Sequence, residues 1–332
     1  MPGNFTDRVG LTHAVVAAEG RGTGKQSMRW DDFRRSDNVE DVRDSGGGGG
    51  RGFGIPGGRG GLGIGTIVVL GLIGWATGID PRILIGGAEI LSGGNEAHDQ
   101  RQAPTTPTRG APSDEAGQFV SAVLGSTEDV WQAIFRQSGQ NYRAPRLVLF
   151  ARLADGGRCG TAQAAMGPFY CPPERRIFLD TSFFRQIEER FRGCTGKACK
   201  FSQAYVIAHE VGHHVQNELG ILEKAQGAQQ SAGGRARANQ IQVRVELQAD
   251  CFAGVWANNA EKKHSFLEPG DVDAALQTAS AIGDDTLQRR TEGRVVPDSF
   301  THGSAEQRKR WFMTGFTQGK ISACNTFAVD RP

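Results

Sequence analysis

His209, Glu210 and His213 stand in the string Val206-Ile207-Ala208-His209-Glu210-Val211-Gly212-His213-His214-Val215. On a helix, residues four apart share a face, so the two imidazoles point the same way with Glu210 beside them. Two imidazoles in that register can hold a zinc ion, and zinc lowers the pKa of its water from about 15.7 toward 7. Glu210 is then the candidate general base that takes the proton of a zinc-bound water. A catalytic zinc also needs a third protein ligand. Glu246-Leu247-Gln248-Ala249-Asp250 offers two carboxylates on one helix face. One can bind the metal while the other accepts a hydrogen bond from a ligand histidine and fixes its tautomer.

Neighbouring residues carry weaker signals. His214 faces about 100° away from His213 and reads as a packed or solvated histidine more than as a ligand. Gly212 costs about 1 kcal/mol against alanine inside a helix, which predicts close approach of another backbone there, the Glu246 helix being the candidate. His302, in Thr301-His302-Gly303-Ser304, and Tyr205 are candidates to donate to the oxyanion of a tetrahedral intermediate.

Helical periodicity places the motif on a helix over Gln203–Leu219 and the two carboxylates on another over Gln240–Glu261. The Gln/Ala/Gly-rich residues 223–240 between them read as helix or flap. Further helices are predicted over 115–138 and Phe183–Arg192, from Asp271 after Pro269-Gly270, and from a capping box at Ser304-x-x-Gln307. Arg146–Phe150 and Arg176–Asp180 are short apolar runs, hence strands. The second, just ahead of the motif helix, is expected to offer its edge to an extended peptide.

The chain has 332 residues and a formal net charge of +2, so no global field argues for nucleic acid. Residues 1–59 are rich in Gly and Arg and poor in large apolar side chains, and they read as a disordered cytoplasmic tail. Residues 60–79 form twenty consecutive positions without a charge. At about 1.5 Å per residue such a run matches the roughly 30 Å bilayer core, so 60–80 reads as a transmembrane helix. Arg51 and Arg59 before it favour a cytoplasmic N-terminus and an exported, periplasmic or extracellular domain. Residues 81–112 read as a linker rich in Pro, Thr and Gly, and 113–332 as the catalytic domain. All six cysteines, Cys159, Cys171, Cys194, Cys199, Cys251 and Cys324, follow the apolar run, which fits export and up to three disulfides. Fifteen connectivities are possible; Cys159 with Cys171 and Cys194 with Cys199 are natural local pairs, leaving Cys251 with Cys324.

Glu-x-x-x-Asp downstream of His-Glu-x-x-His is what glutamate-liganded zinc peptidases show, and that resemblance implies Glu246 as ligand and Asp250 as the partner of a ligand histidine. More specifically, the chain resembles the bacterial neutral zinc metallopeptidase family. The similarity runs through Met28-Arg29-Trp30, Ser36-Asp37-Asn38-Val39-Glu40-Asp41, Gly167-Pro168-Phe169-Tyr170-Cys171-Pro172 and His209 to Gln216. It continues in Glu246 to Gly254, Ile282-Gly283-Asp284-Asp285 and Phe300-Thr301-His302-Gly303-Ser304, so it covers about residues 28–330. Residues 1–27 fall outside it, and Met28 is the expected true start. The resemblance implies an α+β fold: a zincin-like, mostly helical catalytic domain with a small sheet, after a disordered tail and one transmembrane helix. It also implies one Zn2+ per chain, a peptide or protein substrate and a membrane anchor. The alternatives are a zinc hydrolase of a non-peptide amide and an inactive zincin-fold binding module of the cell envelope.

Overall fold

The computed structural model describes residues 28–44, 108–109 and 112–332, save 191, 193 and 196–198. Its strands are β1 (Val39–Asp41), β2 (Thr108–Arg109), β3 (Arg146–Phe150), β4 (Leu153–Asp155), β5 (Thr161–Gln163), β6 (Phe169–Cys171) and β7 (Arg176–Asp180). The helices are α1 (Glu115–Gln137), α2 (Ser182–Arg185), α3 (Cys199–Glu218), α4 (Ile221–Gln230), α5 (Arg235–His264), α6 (Asp271–Ala281), α7 (Asp284–Glu292) and α8 (Ala305–Gln318). The domain is thus α+β and mostly helical.

Five strands form one sheet in the order β2-β1-β3-β7-β6, parallel across β1-β3-β7 and antiparallel at both ends. The apolar runs of β3 and β7 are buried on both faces, and the period of two divides them cleanly. Leu147, Leu149, Ile177 and Leu179 join the main core with the helices. Val148, Phe150 and Phe178 join a smaller cluster with Phe169, Ala162 and Cys171, under the β4-β5 hairpin.

The helices meet at glycines. A Cβ on Gly212 would stand 2.8 Å from the Ala249 carbonyl oxygen, so α3 crosses α5 at near backbone contact, as the misplaced glycine predicted. Gly254 of α5 faces the Phe312 carbonyl, and Gly315 of α8 faces that of Cys251, so α5 and α8 touch in the same way. These crossings decide which side chains meet at the centre. Helix α8 starts in a reciprocal capping box: Ser304 Oγ accepts from Gln307 N–H at 3.2 Å and Gln307 Oε1 from Ser304 N–H at 2.9 Å.

Several expectations are corrected. Val39–Asp41, assigned to a disordered tail, is a strand inside the main sheet, because the edge of β3 supplies the pairing that its own polar sequence does not advertise. Arg176–Asp180 is no edge strand: β3 takes one side of it and β6 the other. The helix expected over Phe183–Arg192 is a four-residue α2 followed by a π-helical turn, Gln186–Arg190. Helix α5 begins at Arg235 and takes in part of the Gln/Ala/Gly-rich stretch, and α7 was not foreseen. Residues 1–27 and the expected transmembrane helix, 60–80, lie outside the described residues. Among the described residues no helix is long and apolar enough to cross a membrane. The disulfides are Cys159–Cys171, Cys194–Cys199 and Cys251–Cys324.

Candidate metal centre

Helix α3 presents His209 and His213 one turn apart, and α5 presents Glu246 opposite them across the Gly212 crossing. Glu246 Oε2 lies 3.2 Å from His209 Nε2 and 3.4 Å from His213 Nε2. Atoms bound to a tetrahedral zinc at about 2.0–2.1 Å stand roughly 3.3 Å from one another, so these separations are those of ligand atoms around one ion. Among the described residues these three are the group that could hold a metal. Two imidazole nitrogens and one carboxylate oxygen are a donor set zinc accepts in open, catalytic sites. The residues present therefore fit zinc.

The rest of each ligand is tied down. The His209 Nδ1–H donates to Asp250 Oδ1 at 2.8 Å, and the His213 Nδ1–H to Gln216 Oε1 at 2.9 Å. With Nδ1 fixed as the outward donor in both rings, Nε2 is the nitrogen that faces the centre. Asp250 is fully buried and accepts also from Tyr205 Oη at 2.6 Å and from Arg308 Nε and Nη2, both at 2.9 Å. Gln216 is anchored in turn by donating to the Val245 carbonyl at 2.8 Å and to Gln248 Oε1 at 3.0 Å. Gln248 then donates to the Cys324 carbonyl at 2.9 Å.

The field at the centre favours a cation. Burial opposes protonation of His209, but the Asp250 and Glu246 carboxylates outweigh it and push its pKa up to about 10. Burial likewise opposes a charged His213, and Glu246 raises it. Glu246 itself is driven well below the carboxylate range: desolvation pushes it up, and the histidines more than offset that. Asp250 follows the same pattern, with Arg308 and His209 overcoming its burial. A metal ion placed between Glu246 and the two imidazoles meets a site already built for positive charge.

Glu210 is buried beside the ligands, and among the described residues its side chain makes no hydrogen bond. A carboxylate with no protein donor keeps its oxygens open to a hydrogen bond from water or substrate. His302 is held outside this cluster. Its Nδ1 lies 3.2 Å from Asp284 Oδ1, while Asp284 Oδ2 accepts from the backbone N–H of Thr301, His302 and Gly303. The loop rests on α5, where a Cβ on Gly303 would come within 3.1 Å of Leu247 Cδ2. Burial opposes a charged His302, and the Asp284 carboxylate, with a smaller contribution from Glu246, raises its pKa.

Tyr205 does not serve as the expected oxyanion donor, because its hydroxyl is buried and committed to Asp250. His214 is fully buried: its Nε2–H donates to the Arg143 carbonyl at 2.6 Å, and its Nδ1 accepts from Tyr170 Oη at 2.9 Å. Desolvation lowers its pKa to about 4, so the ring is neutral. Arg308, Gln216, Gln248 and Asp284 were missed as supporting residues. Gln216 alone carried a local signal, standing three residues after His213 on the same helix face.

The sequence profile of the family described as "Putative neutral zinc metallopeptidase" matches residues 28–327. The Escherichia coli K12 protein YpfJ, named as uncharacterised, is 44% identical over 303 residues, covering 90% of this chain and 99% of its own. An uncharacterised protein of Mycobacterium tuberculosis is 41% identical over 224 residues, 65% of this chain and 73% of its own. No solved structure matches the chain.

Proposed function

Because the chain belongs to the neutral zinc metallopeptidase family, we propose that it is an endopeptidase in which His209, His213 and Glu246 hold one zinc ion and Glu210 is the general base. Bound zinc would supply Lewis-acid chemistry, acidifying a water and polarising the scissile carbonyl. Glu210 takes a proton from the attacking water as its oxygen bonds to the carbonyl carbon. It delivers that proton to the amide nitrogen as the C–N bond breaks, leaving a carboxylic acid and an amine. Asp250 and Gln216 keep the two imidazoles from turning their protonated nitrogens inward. His302, with Nδ1 on Asp284, has Nε2 left to donate to the carbonyl oxygen as negative charge builds there. Three disulfides support the reading that the domain works in an oxidising, exported compartment.

The observation that carries this reading is the convergence of His209 and His213 on Glu246, three ligand atoms within 4.8 Å of one another, beside a carboxylate with no protein partner. Its test is metal analysis of the purified chain together with cleavage of a peptide library. Stoichiometric zinc is expected, with cleavage reduced at least about 100-fold in Glu210→Gln while the zinc is retained. Zinc-loaded protein that cleaves no peptide, or cleaves equally well as Glu210→Gln, overturns it.

A further inference from the structure

Residues 28–44 precede the uncharged run 60–79, and the catalytic domain follows it. We infer that residues 28–44 and 112–332 nevertheless lie on the same side of any membrane the chain meets, so the run does not divide them by a single crossing. This inference does not depend on the catalytic assignment.

The segment is built into the domain. β1 pairs with β3 in parallel register, Val39 with Leu147, Glu40 with Val148 and Asp41 with Leu149. The Leu147 N–H donates to the Asn38 carbonyl at 2.9 Å, and the Val42 N–H to the Leu149 carbonyl at 2.8 Å. Adjacent strands stand about 4.8 Å apart, whereas a bilayer's hydrocarbon core is about 30 Å thick. No strand can hydrogen-bond across it.

Side chains close the same contact. Met28, Phe33 and Val39 are buried in the main core, with Phe33 edge-on to Phe266 and Trp30 edge-on to Phe119. Gly125 of α1 admits the Arg34 carbonyl at a distance that a Cβ would forbid. Glu128, buried on α1, receives its hydrogen bonds from Arg34, Ser36 and Asn38. Without the segment that carboxylate would be stranded in an apolar setting, a cost that folded proteins avoid.

The return path agrees. β1 is paired antiparallel with β2, Asp41 opposite Thr108 and Glu40 opposite Arg109. The chain therefore runs out of β1 just past Asp41 and rejoins the sheet at Thr108, opposite that same residue. If the disulfide-bonded domain is exported, residues 28–44 are exported with it, and the expected cytoplasmic N-terminus does not hold for them.

The test uses the full chain in intact cells. All six native cysteines are in disulfides, so Asp32→Cys and Lys262→Cys, both exposed positions, each add one free thiol. With a membrane-impermeant thiol reagent, the two variants are expected to label to the same extent before lysis, both reactive or both protected. Labelling of one with protection of the other overturns the inference. A double-mutant cycle guards against misfolded variants: Arg43 pairs with Asp114 at 2.6 and 2.9 Å, and with Asp41 within its own segment. Arg43→Ala and Asp114→Ala should each lower Tm and the double variant should lose less than their sum; purely additive losses would also overturn the inference.

Discussion

His209 and His213 sit one turn apart on α3, yet they are braced by different chemistry. Behind His209 stands a buried ion pair, Asp250 with Arg308, joined by the Tyr205 hydroxyl. Behind His213 stands a line of amides, Gln216 then Gln248, ending on the Cys324 carbonyl. Charge-assisted hydrogen bonds are roughly twice as strong as neutral ones, and a buried charge that loses its partner is far costlier than a lost amide contact. The first arm therefore sets both geometry and potential at the candidate metal centre, whereas the second sets geometry alone.

The widest gap between the arms should appear on breaking each once. Asp250→Ala leaves Arg308 buried and unpaired, and should cost about 3–5 kcal/mol of stability in denaturant melts. It also frees the His209 ring, so zinc affinity measured by chelator competition should fall about 10–100-fold. Gln216→Ala removes no charge. It leaves the Gln248 and Val245 oxygens without their donor, worth about 1–3 kcal/mol, and its zinc loss should lie nearer tenfold. Equal losses in both assays would mean that the charge behind His209 adds nothing to its geometry.

The two arms also differ in how far the sequence discloses them. His209, His213, Glu246 and Asp250 are legible because helix periodicity alone puts each pair on one face, and Gly212 announces the crossing that brings the faces together. Arg308 was invisible: it reaches Asp250 from α8, a contact made by tertiary packing at Gly254 and Gly315. Gln216 shares a helix face with His213, which is a local signal, but the Val245 and Gln248 oxygens that anchor its amide come from α5 and are not local. In the sheet, β3 and β7 are readable from apolar runs. β1 is not, because its Val-Glu-Asp sequence becomes a strand only when β3 offers an edge.

Proton release on zinc binding sharpens the comparison furthest, though its readout is about a single proton. In the metal-free protein burial disfavours a charged His209, yet Asp250 and Glu246 push it up to about 10, so the ring is protonated at pH 7. Zinc must displace that proton, which makes affinity rise with pH, by about tenfold per unit from this group, until pH reaches about 10. Stability of the metal-free chain follows the opposite sense. A raised histidine pKa contributes stability that is complete below the unfolded value near 6.5 and is lost as pH climbs through about 10. In Asp250→Ala the charge that raises His209 is gone, so calorimetry in buffers of different ionisation enthalpy should register less proton release at pH 7 than in the parent chain. Gln216→Ala should release as much as the parent, because the amide arm carries no charge to the centre. Were the release to fall equally in both variants, the division between a charged and a neutral brace would fail.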